Sequence, residues 1–101
     1  MTDNEYPKTI EHKKLGLLIT LFDFNQKQYE DYHSALFASD AKTVAQKNGV
    51  VAACALKAGL ISGVDPNTIP TMKPAAVVWL DKIIHAHVLA ITMIPPDDDP
   101  N

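Results

Sequence analysis

Apolar positions are densest between Pro74 and Ile94, where only Asp81, Lys82, His85, His87 and Thr92 interrupt a run of alanine, valine, leucine, isoleucine, methionine and Trp79. Helical spacing gathers Asp81, Lys82, His85 and Thr92 within roughly a quarter of the circumference. The rest of the wheel, through Val77, Leu80, Ile83, Ile84, Ile91 and Ile94, is wider than the ~100° apolar stripe of an ordinary surface helix. The pattern predicts a helix over 74–94, buried on several sides by its own domain or by another subunit. Pro74 suits a first helical turn, with Thr71 or Lys73 at the cap, and Pro95 and Pro96 end the helix. A membrane span is set aside, because the longest uncharged stretch, Ile83 to Ile94, is well short of ~20 residues and holds two histidines.

Upstream the pattern changes period. Leu15 to Phe24 is apolar on both faces with aromatic and β-branched members, which predicts a strand. A lone strand leaves its amides unpaired, so it needs a partner: Lys8 to His12 through a turn at Lys13 and Lys14, or the same strand of a second subunit. Asn25 with Gln28 forms a capping-box pattern and starts a helix, with Tyr29, Tyr32 or His33, and Leu36 on its inner face, ending near Ala38. Ser39 or Asp40 is expected to cap the next helix, Ala41 to Ala58, which Gly59 closes and which Asn48-Gly49 could kink or break. On it Val44, Asn48, Val51, Ala55 and Ala58 share a face whose alanines let the 74–94 helix approach closely. The segment from Gly59 to Lys73, with Gly63, Asp65-Pro66-Asn67 and Pro70, reads as a loop pinned by Leu60, Ile61, Val64 and Ile69.

The expected fold is therefore mostly α: a three-helix core with one N-terminal strand or β-hairpin, α+β at the margin. Residues 1–9 read as a loose arm, 10–94 as a single helical domain and 95–101 as a solvated acidic tail.

Composition narrows the function classes. A chain of 101 residues with 47% apolar content has room for one core without metals or bridges. Its single cysteine, Cys54, makes no internal disulfide, and no cationic start leads into an apolar run, so the expected compartment is the cytoplasm. All nine positive charges are lysine, set against twelve acids for a net charge of −3. Arginine supplies the planar fork that grips phosphate and reads guanine edges, and its absence argues against nucleic-acid binding.

Candidate chemistry is sparse. His85 and His87 form a His-x-His pair, a good chelate on a strand, but on a helix the two rings diverge by about 200°. Asp81 and His85, one turn apart, suit an exposed ion pair, whereas a buried His87 would make assembly sensitive to pH. Cys54, between two alanines, has neither a base nor a positive neighbour in sequence to activate it. The Asp97-Asp98-Asp99 run lacks a scaffold to close around a cation, and Asp65-Pro66-Asn67 lacks the glycine and distal glutamate of a calcium loop. Phosphate-binding loop, dinucleotide fingerprint and nucleophile elbow are all missing. No catalytic residue, cofactor or metal ligand is expected.

A strand ending Phe22-Asp23-Phe24 runs into the helix holding Tyr29 and Tyr32. A Ser39-Asp40 break then precedes an alanine-rich helix, and Met72-Lys73-Pro74 leads to Val78-Trp79-Leu80 and on to Pro95-Pro96-Asp97. This combination resembles small helical accessory proteins of tailed phages and prophages, of the tail-assembly-chaperone kind. The resemblance implies a non-enzymatic protein that keeps an aggregation-prone virion component soluble, and it carries over no catalytic residue.

The expected function is a non-enzymatic interaction or assembly protein that forms a homo-oligomer and binds a further, unidentified protein, with no nucleic acid or membrane as partner. Its expected interface is Leu17, Ile19, Leu21, Trp79, Leu80, Ile83, Ile84, His87 and Ile91. The alternative is a metal- or pH-responsive binding module using His85 and His87.

Overall fold

The structure, a computed structural model, describes residues 6–93. Residues 1–5 of the arm, the proline stop at 95–96 and the acidic tail lie outside the described residues. Strands β1 (Lys8–His12) and β2 (Leu17–Leu21) are followed by helices α1 (Gln26–Phe37) and α2 (Val44–Ala58). A two-residue strand β3 (Ile61–Ser62), a 3-10 helix over Pro66–Thr71 and helix α3 (Pro74–Thr92) complete the chain. The fold is α+β and mostly helical, with three main helices beside a three-stranded antiparallel sheet ordered β1-β2-β3.

The hairpin partner of β2 is β1 of the same chain, in the register Lys8 with Leu21 through His12 with Leu17. The strand is shorter than the 15–24 expected, because Leu15 and Gly16 belong to the turn, where the Gly16 amide bonds the Lys13 carbonyl at 3.1 Å. Lys8 and Thr9 are strand rather than arm. Within β2 alternate side chains face inward, so Ile19 and Leu21 are buried while Leu18 faces solvent.

Asn25 caps α1 as its spacing predicts: its side chain accepts from the Gln28 amide at 2.9 Å, and Gln28 Oε1 accepts from the Asn25 amide at 3.0 Å. Helix α2 starts three residues later than expected. Ser39 spends its hydroxyl on the Ala41 amide at 3.0 Å, a local turn, and Thr43 does the capping. Thr43 Oγ1 accepts from the Gln46 amide at 3.1 Å, while Gln46 Oε1 accepts from the amides of Thr43 at 3.2 Å and Lys42 at 2.8 Å. The helix passes through Asn48-Gly49 without a break and ends at Gly59, whose φ of 84° is the left-handed conformation that glycine adopts without steric penalty.

The loop expected after Gly59 contains structure that periodicity does not reveal. Ile61 and Ser62 pair with Leu21 and Thr20, which adds a third strand. The Phe22 amide then donates to the Leu60 carbonyl at 2.9 Å. Gly63 makes this approach possible: at φ 119° a Cβ there would collide with the Leu18 carbonyl oxygen and come within 3.2 Å of Ile19 Cα.

The core lies where the sheet, α2 and α3 meet. Ile19, Leu60, Ile61, Leu80 and Ile84 are its largest fully enclosed side chains, with Ala52 and Ala55 of α2 letting α3 close on them. By length and composition α3 is apolar enough to cross a membrane, yet here Ala76, Leu80, Ile84 and His87 face the core of the same globule. Its opposite side keeps Val78, Leu89 and Met93 exposed, along with the polar His85 and Lys82.

Candidate functional site

The connection between α1 and α2 runs without helical structure before Thr43 caps α2. Behind it opens a groove of about 780 Å³. Ala45, Gly49 and Ala53 of α2 form a low floor, because none carries more than one side-chain carbon. Ile69 and Pro70 of the 3-10 helix make one wall, and Val77 and Val78 from the start of α3 extend it. Asp40 is the one charged residue along the lining, so the groove offers apolar contact and almost no electrostatic or acid–base chemistry.

Two apolar side chains stand bare at the two ends of the α1–α2 connection. Phe37, the last residue of α1, is 90% exposed, and Val44, the first of α2, is 76% exposed. A phenyl ring this open is unusual for a residue type that normally carries much of a core. Phe37 directly precedes Ala38, the first residue of the groove lining, so an exposed ring and an apolar recess are neighbours along the chain.

The residues singled out in the sequence lie elsewhere. Ile19, Leu21, Leu80, Ile84 and His87 are enclosed by the chain's own core, which leaves them no face to offer a second molecule while the fold is intact. Leu17, Trp79, Ile83 and Ile91 are half-buried, and the last three pack against that core. Part of the apolar arc on α3 is covered by the sheet and α2 within one chain, while Val78 and Leu89 stay exposed.

The two histidines diverge as helical geometry requires. His85 is exposed, its Nδ1 2.9 Å from the Asp81 backbone carbonyl and 3.4 Å from Asp81 Oδ1. His87 is 2% exposed, with Nε2 2.7 Å from the Phe22 carbonyl oxygen and the rings of Tyr6 and Phe24 beside it. Burial holds its pKa below the ordinary imidazole value, against the hydrogen bond to Phe22 that acts the other way. The two rings therefore do not share a metal, and among the described residues no three histidine, cysteine, aspartate or glutamate side chains gather as a metal site requires. Cys54 is buried, and burial pushes its thiol pKa up against the smaller opposing effect of Lys57, which keeps it protonated and poorly nucleophilic.

Sequence reasoning missed the groove. Its small α2 residues look like ordinary helix positions, and the non-helical 39–41 part of its lining follows from the late start of α2, for which the signal was the Thr43–Gln46 spacing. Comparison of the chain with protein-family models, with curated proteins and with solved structures returned no match in any of the three.

Proposed function

We propose that this protein is a non-enzymatic interaction module that self-associates by seating Phe37 of one copy in the apolar groove of another. The observation that carries the reading is the 90% exposed phenyl ring of Phe37, next in sequence to Ala38 of an apolar recess. A projection and a recess on one molecule suit a two-fold pairing, in which each copy gives and receives the same contact. Two such insertions bury about 3–6 kcal/mol of apolar side chain, at about 1.5–3 kcal/mol each. Association entropy offsets much of that gain, so the dimer is weak and depends on concentration. An apolar segment of a client protein suits the same groove, in keeping with the resemblance to phage tail-assembly chaperones, and the cytoplasm is the compartment proposed for it.

Light scattering over a dilution series tests this. The wild type should move from dimer toward monomer on dilution, and Phe37→Asp should be monomeric throughout with an unchanged melting temperature. A wild type that stays monomeric at the highest concentration refutes the pairing.

A further inference from the structure

His87 joins three parts of the chain that are far apart in sequence. Its backbone belongs to α3, its Nε2 is 2.7 Å from the carbonyl at the end of β2, and the Tyr6 and Phe24 ring centroids lie 5.3 Å and 5.5 Å away. A carbonyl oxygen only accepts, so Nε2 carries the ring proton and Nδ1 holds a lone pair. That Nδ1 is buried and has no hydrogen-bond partner among the described residues. A second proton would land there, placing a full positive charge in a site 2% exposed.

The surroundings do little to stabilise the charge. From the N-terminal side Tyr6 and Lys8 face the ring, and Lys8 opposes protonation; from the link between β2 and α1, Asp23 favours it, as do the backbone carbonyls of Phe22 and Leu60. The Leu60 carbonyl also accepts from the Phe22 amide at 2.9 Å, and as the ring stands it makes no hydrogen bond to Nδ1. Burial outweighs these groups and keeps the ring neutral in the closed form.

The elements around the ring are not equally fixed. Phe24 is buried in the core, and Phe22 is tied to Leu60 beside β3. Tyr6 is half-buried and leads into β1, a strand of five residues whose only neighbour in the sheet among the described residues is β2. We propose that His87 is an acid-operated latch: proton uptake at Nδ1 releases Tyr6 and strand β1 from α3, hydrating the ring while the helices and β2–β3 stay folded. The sign follows from linkage. A base whose closed-state pKa is depressed binds fewer protons closed than open, so the latch is fully shut above the ordinary imidazole value and opens as pH falls below it.

Amide exchange followed by NMR on the intact protein, with the His87 ring nitrogens recorded in the same titration from about pH 7.5 to about pH 5, tests this across the histidine range. After correction for intrinsic rates, protection of the β1–β2 ladder should fall by up to about tenfold per pH unit, in step with the ring titration, while α2 stays protected. His87→Gln, whose side-chain amide donates without titrating, should abolish the loss; His12→Gln and His85→Gln should retain it. Titration of the His87 ring with β1 protection unchanged overturns the proposal. So does loss of protection in all elements together, or a β1 transition that persists in His87→Gln. The ring titration is read in the wild type, so the test holds even if a variant fails to fold.

Discussion

Truncating Ile84 and Leu89, five positions apart on α3, separates the face this helix turns to the core from the face it turns to water. Ile84 is fully buried, whereas Leu89 is 55% exposed. Removing three carbons from an enclosed isoleucine costs about 2–5 kcal/mol, the lost transfer energy plus the cavity left behind. For Leu89, slightly under half of a full leucine burial of about 1.5–3 kcal/mol is at stake, roughly 1 kcal/mol, and the better helix propensity of alanine offsets a few tenths. Central values put Ile84→Ala about 2–3 kcal/mol below Leu89→Ala. In a domain of this size that is a gap in melting temperature of about 10–20 °C, at 4–8 °C per kcal/mol. Urea melts followed by far-UV circular dichroism measure the difference, with Ile84→Val, expected to lose only about 0.5–1.5 kcal/mol, as a variant that stays folded. Equal losses at the two positions would refute the orientation of α3. A deficit in Ile84→Ala that shrinks as protein concentration rises would instead place this residue in a subunit contact.

Gly63→Ala should lose about 2 kcal/mol or more, because it combines a left-handed backbone with a collision against the Leu18 carbonyl, and the same urea melts would show it; a neutral result means that β3 does not close on β2 as described. Tyr32 gives a signature in base. Burial, with smaller contributions from Cys54, Asp81 and Tyr29, pushes its pKa up to about 12, above the ordinary value of 10.0. A raised folded-state value means that the stabilisation from Tyr32 is complete below about pH 10 and is lost as pH rises through about 12. Tyr32→Phe should therefore lose less stability than wild type between those limits, and identical base profiles for the two proteins would refute the buried phenol.

What the sequence revealed and what it hid divide by range. The Asn25–Gln28 box, the Gly59 terminus and Pro74 at the start of α3 act within one or two turns, and each stands where its local chemistry puts it. The start of α2 was misplaced although its signal was also local. Ser39 and Asp40 are good caps by residue type, but only Thr43 has a glutamine three residues on to return the bond. Strand β3 was illegible for another reason. Two residues have no periodicity, and Ile61 and Ser62 become a strand only because β2, some forty positions earlier, offers its free edge to them. The same holds for His87, whose acceptor is the Phe22 carbonyl 65 residues away. The apolar arc on α3 is wider than the face its own fold encloses, since Val78 and Leu89 stay exposed, and periodicity does not say which molecule covers a face.

The seam between the hairpin and α3 also has an optical consequence. Trp79 is the only tryptophan in the chain, and its indole meets the His12 ring edge-on at 82° with centroids 5.1 Å apart. An imidazole at that range quenches indole emission, and more strongly once protonated. The intrinsic fluorescence of this protein should therefore report the separation of β1 and α3 without any attached dye, with emission expected to brighten when the strand lifts away.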